Sequence, residues 1–474
     1  MAAFHPELLL LVNVITLVSG LQVKTSHFSQ VPFLTVWNAP TANCFSQYGV
    51  DLDLGIFNIV HNQNQSFMGD NITIFYSDRF GLYPRYSGQD QAINGGVPQN
   101  ASLEKHLRVV YKNISTAIPD RNFPGLAVVD WENWRPLWAR NWDSMQVYRE
   151  ASKALVRLDH PDWSPAKVEA EARVQFEDAA RKFMEETLKL GKQERPNGLW
   201  GYYGFPNCYN YYSDKITNYT GECPAIEIKR NNQLLWLWKV SSALYPDIYL
   251  SLNLRNLSQE VLFYTHHRIL EAMRVGDRVT PSGLPVFTYA RIVYTYTLEF
   301  LSQEHLVYTI GESVALGSTG VVLVHHFVYI SFRRQQVGAH LMTLRNLNCR
   351  AYLHLDPAVW KVVSEKMSNG RMTYSVLGQM KRHQETFKRF DFECNQIMCS
   401  SKGRCQRRNL NSRAYLHLDP AVWKVVSEKM PNGRTTYSVL GQMKRHQETF
   451  KRFDFECKCY PGWSGKSCSI PNPE

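Results

Sequence analysis

The 474-residue sequence predicts an α/β fold: a β/α (TIM-like) barrel followed by a small disulfide-rich module. Two observations point to this fold. From Phe33 to about Val324, short apolar runs alternate with longer segments of helical composition. The length accommodates a barrel of about 250 residues plus an appendage, as well as it would three small domains. The module follows from the cysteines, ten in all, which crowd towards the C-terminal end.

Taken in order, the expected strands are Phe33–Trp37, Ile72–Tyr76, Leu126–Asp130, Leu199–Tyr203, Asp247–Leu250, Val286–Tyr289 and Gly320–Val324. The clearest helix opens at Ser164-Pro165, a capping hydroxyl with proline in the first turn. Val168, Ala172, Phe176, Ala179 and Phe183 recur at helical spacing, and Leu190 falls two turns further on. Gly191 is the expected end. In β/α barrels the C-terminal strand ends form the active face. Those ends read Trp37-Asn38, Tyr76, Asp130-Trp131-Glu132, Tyr203, Tyr249 and Tyr289-Ala290-Arg291, so these residues are expected to converge on one cleft.

The run from Phe123 to Trp138 carries the chemistry. Asp130 and Glu132 lie two residues apart at a strand end, on one face, with stems roughly 6.6 Å apart. Two acids this close cannot both ionise freely, so one holds a proton near neutral pH. That prepares a general acid for cleaving a glycosidic bond. Trp131, Trp134 and Trp138 offer flat apolar surface suited to sugar rings, and Arg135 adds a cation. The bland alternative is a strand end with a solvated acidic turn.

The net charge of +11 is compatible with an acidic partner. No nucleic-acid module signature occurs, and an anionic polysaccharide suits the charge equally well. Leu8 to Val18 reads as the apolar core of a secretion leader, residues 1–20, with Ser19-Gly20 for cleavage. Glu7 precedes the run without an upstream Lys or Arg, and the run is too short to span a bilayer comfortably. Neither a transmembrane segment nor a lipid anchor is expected. Asn64, Asn71, Asn100, Asn113, Asn218 and Asn256 are glycosylation acceptors, so the cysteines read as disulfides of an exported protein, secreted or lysosomal. No metal-ligand spacing occurs; the pairs His266-His267 and His325-His326 would face opposite ways on a strand, and neither metal nor cofactor is expected.

The spacing Cys394-x4-Cys399-x5-Cys405, then Cys457-Lys458-Cys459-Tyr460-Pro461-Gly462-Trp463-Ser464-Gly465-x-x-Cys468, resembles an epidermal-growth-factor-like module. Between barrel and tail, Arg350 to Cys394 recurs as Arg413 to Cys457, differing at Ser368/Pro431 and Met372/Thr435. Structural repeats diverge and come in larger numbers. One near-verbatim copy reads as a recent exon duplication or a mis-assembled gene, with a functional tandem unit as the alternative. The organisation expected is a leader at 1–20, barrel at 21–344, duplicated segment at 345–394 and cysteine-rich module at 395–474.

Together with the Asp130–Glu132 block, Thr35-Val36-Trp37-Asn38, Phe75-Tyr76, Gly81-x-Tyr83-Pro84, Gly201-Tyr202-Tyr203-Gly204-Phe205-Pro206-x-Cys208-Tyr209-Asn210 and Thr309-Ile310-Gly311-Glu312-Ser313 resemble the animal hyaluronidases, from about Pro32 to Val324 and again from Cys394 to Cys468. The resemblance implies a distorted barrel with a long groove for hyaluronan, with chondroitin as a candidate second substrate, in a monomer. It implies retaining hydrolysis of the β-1,4 bond between N-acetylglucosamine and glucuronate, with the substrate's acetamido oxygen as nucleophile. Glu132 would be proton donor and later base, Asp130 would share its proton, and Tyr203 and Tyr249 would hold the acetamido group. Asn38, Tyr76, Trp131, Arg135, Arg268 and Tyr289 would bind substrate, the two arginines orienting acids or pairing with glucuronate. For Arg268 a solvated helix position is the alternative.

The resemblance also implies disulfides Cys208–Cys223, Cys394–Cys405, Cys399–Cys457 and Cys459–Cys468, with Cys44 left to pair with Cys349. The chain departs from the family pattern at Val324, where a cleft-lining tryptophan is usual, and at Thr295, where an aspartate is usual. Val328 to Leu344 has no counterpart there. These departures predict a poorly folded or weakly active chain, a hyaluronan-binding homologue without turnover, or the product of a mis-assembled gene.

Overall fold

The computed structural model describes residues 28, 32–39, 41–42, 54, 59–88, 90–297, 299–324, 392–413, 415, 424–429, 435–440 and 455–472. The leader, Cys44, Cys349, His325, His326, the stretch 328–344 and the first copy of the duplicate up to residue 391 lie outside them.

Six parallel strands follow in chain order: β1 (Leu34–Asn38), β2 (Ile72–Tyr76), β3 (Leu126–Asp130), β4 (Leu199–Tyr202), β5 (Phe287–Ala290) and β6 (Gly320–Val324). They form two three-stranded sheets, ordered β2-β3-β4 and β1-β6-β5. The register sets Tyr76 beside Asp130 and Asn38 beside Val324. Isolated bridges link the two sheets on one side: Tyr203 with Tyr245, Leu244 with Val286, and Asp247 with Tyr289. The strand expected at Asp247–Leu250 is therefore a chain of single bridges. Pro246 removes a ladder donor there, although its carbonyl still accepts from the Tyr289 amide at 2.8 Å. On the other side Val60 bridges Val36, and the Asn62 side chain meets β2, donating to the Ile72 carbonyl at 2.6 Å and accepting from its amide at 3.0 Å.

Side chains alternate between two apolar layers. Val36, Ile74, Val128, Tyr245, Phe287 and Val322 form one buried cluster, with Val324 among them. Phe75, Val129, Trp200 and Tyr202 face the helices.

The longer helices are α1 (Leu103–Ala117), α2 (Gln146–Asp159), α3 (Pro165–Glu194), α4 (Ala225–Gln233), α5 (Leu235–Val240) and α6 (Ser258–Asp277), with short helical turns at Gln303–Leu306 and Glu312–Ala315 before β6. Ser164 caps α3 by accepting from the Lys167 amide. The helix runs through Gly191 to Glu194, beyond its expected end. Gly191 is there for packing: a Cβ would meet Trp200 Cε3 at 2.7 Å. Ala180, rather than Ala179, belongs to the buried stripe. His266 and His267 lie on α6, not on a strand.

Beyond these parallel sheets, β7 (Gly403–Arg407) pairs antiparallel with β10 (Phe455–Cys459), and β8 (Lys424–Lys429) with β9 (Thr435–Leu440). Disulfides Cys394–Cys405, Cys399–Cys457 and Cys459–Cys468 knot this unit, and Cys208–Cys223 ties the loop after β4. The unit docks on wholly buried Glu312, which receives Arg407 Nη2 and the Tyr415 hydroxyl (2.8 Å), while His266 Nδ1 lies 2.7 Å away. Lys458 pairs with Asp277 at 2.9 Å, and Arg404 Nε donates to the Pro32 carbonyl. Tyr415 and the β8–β9 hairpin belong to the second copy of the duplicate.

Among the described residues no helix is long and apolar enough to cross a membrane. Of the sequons, Asn64, Asn100, Asn218 and Asn256 are exposed. Asn71 and Asn113 are half-buried; Asn71 Nδ2 donates to the His61 carbonyl and Asn113 Oδ1 accepts from the Gly81 amide.

Candidate active site

The apolar run of β3 delivers Asp130 to the C-terminal edge of its sheet, where it is 6 % exposed. Glu132 follows two residues later, with 52 % of its side-chain surface open. Both carboxylates line one cleft of about 680 Å³, bounded also by Tyr76, Tyr86, Asn133 and Tyr148.

Trp131, between them, points the other way and is 2 % exposed. It stacks on Tyr83 at 4.5 Å and meets the edge of His106 at 5.4 Å. His106 accepts the Leu82 amide at Nδ1 and contacts Thr187 Oγ1 through Nε2, both at 2.9 Å, so the ring is neutral with its proton on Nε2. Burial pushes its pKa down to about 4. The turn in front needs glycine: Gly81 has φ +66°, and a Cβ would sit 2.4 Å from His106 Cε1. Trp134 and Trp138 are buried as well, Trp134 donating to the Pro84 carbonyl. The three tryptophans expected as a sugar platform are therefore packing surface, because alternation turns Trp131 inward and the aromatic layer absorbs the other two.

Burial raises the Asp130 pKa, and the Glu132 charge raises it further against the opposing pull of Arg135, to about 8. Glu132 is raised too, first by the protein mass around the cleft floor; Arg135 and Arg291 oppose this and Asp247 reinforces it. The pair therefore holds a proton at neutral pH and titrates as a unit. Arg135 braces it, donating from Nη1 to the Glu132 carbonyl at 3.0 Å with Nη2 3.8 Å from the carboxylate.

Three tyrosines lie within electrostatic reach of the two acids, with ring centroids 6.2 Å apart for Tyr203–Tyr249 and 5.0 Å for Tyr203–Tyr289. The hydroxyls of Tyr249 and Tyr289 and both amide atoms of Asn38 are buried without hydrogen-bond partners. Buried polar groups are normally paired, so this cluster at the strand ends is prepared for a polar ligand. Burial raises the Tyr203 and Tyr249 hydroxyl pKa values, keeping both as donors.

Arg268 is neither solvated nor in the cleft. It is buried on α6, donating to the Asp247 carboxylate (3.0 Å) and carbonyl (2.8 Å) and to Asn210 Oδ1 (3.0 Å), with its guanidinium 4.5 Å over the Tyr264 ring. Of its two expected roles the structure thus gives it contact with an acid, Asp247, and none with open space. Thr295 donates its amide to the Leu250 carbonyl at 2.8 Å. Sequence reasoning missed Asp247 and His106 as parts of this site, whereas Arg291 was among the strand-end residues expected at the cleft. A charge between Tyr245 and Tyr249 was the available signal for Asp247; for His106 there was none, because its partners come from the Gly81 turn and α3.

The family comparison agrees with this geometry. The hyaluronidase family profile matches residues 22–341 and 391–472. Hyaluronidase-1 of Sus scrofa is 40 % identical over 437 residues, covering 92 % of each chain, and the hyaluronidase of Crotalus adamanteus is 40 % identical over 454 residues, covering 94 % of this chain and 92 % of that one. Among solved structures, bee venom hyaluronidase aligns with a TM-score of 0.58 at 34 % identity, covering 68 % of this chain and 96 % of that one. The same enzyme in complex with a hyaluronic acid tetramer aligns at 0.57 and 33 %, covering 68 % and 98 %. The chain belongs to the hyaluronidase family of glycoside hydrolases.

Proposed function

We propose that this chain hydrolyses the β-1,4 bonds of hyaluronan as a retaining endo-β-N-acetylhexosaminidase, with Glu132 as its acid and base. The observation carrying this reading is the pairing of Asp130 and Glu132 on one open cleft, where burial raises the proton affinity of both. Protonated Glu132 gives its proton to the glycosidic oxygen as the C1–O bond breaks. The acetamido carbonyl oxygen of the same sugar takes C1, forming an oxazolinium ion. Water then attacks C1, Glu132 accepting its proton, and the ring opens to regenerate the acetamide. Asp130 shares the proton and helps place the acetamido group. The hydroxyls of Tyr203 and Tyr249 hold that group in attacking position, a geometric contribution to rate. Asn38, Tyr76 and Tyr289 supply hydrogen bonds to the sugar.

The parallel sheets and their linking bridges support a barrel scaffold, and the C-terminal unit supports an epidermal-growth-factor-like module. Disulfides and exposed sequons favour a secreted or lysosomal protein. A second reading, hyaluronan binding without turnover, draws on Val324, which ends β6 beside Asn38 with an aliphatic side chain and no ring for the cleft.

Incubation with high-molecular-mass hyaluronan separates the readings. The wild-type chain is expected to shorten the polymer, and Glu132→Gln to lower the rate by about 10³-fold while still retarding the polymer on a gel. Retardation without shortening by the wild type selects the binding reading. Retention of the rate within about tenfold by Glu132→Gln removes Glu132 from the chemistry.

A further inference from the structure

Arg135, Arg268 and Arg291 differ in what they already hold. Arg268 is buried against Asp247, and Arg135 is braced on Glu132. Arg291, one residue beyond β5, makes no ion pair with a described residue. Its guanidinium carbon lies 4.3 Å over the centroid of the Tyr249 ring, and its Nε is buried without a hydrogen-bond partner. Its positive charge reaches both Glu132 and Tyr249, lowering the proton affinity of each.

We propose that Arg291 is a specificity-determining residue that receives a uronate carboxylate of the substrate chain, held in place by the face of Tyr249. This rests on the hyaluronan reading above and assigns the carboxylate contact to a residue other than Arg135 and Arg268. A guanidinium is suited to it: the planar fork matches a carboxylate in two parallel hydrogen bonds. The aromatic face beneath orients the fork before ligand arrives, which lowers the ordering cost on binding. Leaving Nε buried and unpaired is unfavourable for the empty protein, and an incoming carboxylate relieves it. Tyr249, which the proposed mechanism sets against the acetamido group, thereby also fixes where the neighbouring acidic sugar lies.

The test reads affinity in the Glu132→Gln background, so that turnover does not enter. A hyaluronan octasaccharide is titrated beside the same oligosaccharide with its carboxyls reduced to primary alcohols. Adding Arg291→Gln is expected to weaken binding of the acidic form about tenfold or more, and of the reduced form far less, so the preference between them collapses. Arg291→Lys keeps the charge without the fork and is expected to fall between, and it carries the test if the glutamine variant does not fold. Equal losses on both oligosaccharides, or undiminished preference for the acidic form, overturn the assignment. A wild-type chain that leaves hyaluronan intact overturns the hydrolase reading alone, since the affinity comparison stands without it.

Discussion

Glu312 and the Asp130–Glu132 pair both place carboxylates inside the protein, in very different company. Glu312 is wholly buried and ringed by Arg407, His266 and the Tyr415 hydroxyl. Asp130 is nearly as buried, yet its closest charged neighbours are another acid and one arginine that is shared with it. A carboxylate supplied with a cation and hydrogen bonds holds elements together. One denied them takes up a proton and has it available for transfer. The first cluster joins the C-terminal unit to α6 and to the helical run before β6; the second opens on a cleft.

Glu312→Gln should produce the largest effect on folding. It leaves Arg407 buried without its charge partner, at a cost of about 3–5 kcal/mol in denaturant unfolding. Glu132→Gln removes a charge that burial disfavours, so its stability is expected to equal or exceed the wild type's. Losses of similar size in the two variants would dissolve the contrast between a structural acid and a chemical one.

His106, behind the pair, gives a pH signature. Its folded pKa of about 4 lies below the unfolded value, so the unfolded chain binds a proton first as pH falls. Its share of stability is intact above about pH 6.5 and is lost as pH drops to about 4, up to ~3 kcal/mol. Urea unfolding between those pH values should show a slope shallower by one proton in His106→Gln. Identical slopes would mean the ring is already charged in the native protein.

Asp130→Asn sharpens the comparison on the chemical side. Without the neighbouring negative charge Glu132 holds its proton less tightly, so the alkaline limb of the pH–rate profile should move to lower pH. The rate should fall by about 10–100-fold. A limb that stays in place would show that the two acids do not share a proton.

Legibility from sequence followed the range of the interaction. The limits of β2, β3 and β6 were readable to the residue, because each is a continuous apolar run between polar or glycine punctuation. At 247–250 the apolar pattern was present but Pro246 broke the ladder, a local signal left unused. Gly191 read as a stop and proved to be a contact, since Trp200 is nine positions on in sequence and against it in space. Trp131 could have been turned inward by the same alternation that joined Asp130 to Glu132. Arg268 could not have been resolved, because its partner Asp247 reaches it through a tertiary contact.

By itself the sequence determined that two acids share a face at a strand end among tyrosines that end other strands, because backbone geometry alone sets the period of two. Which arginine is free, which acid is satisfied, and which aromatic rings are core were decided by the tertiary structure. Proton affinity and charge pairing depend on burial and on neighbours brought from distant segments, and no local pattern encodes those distances.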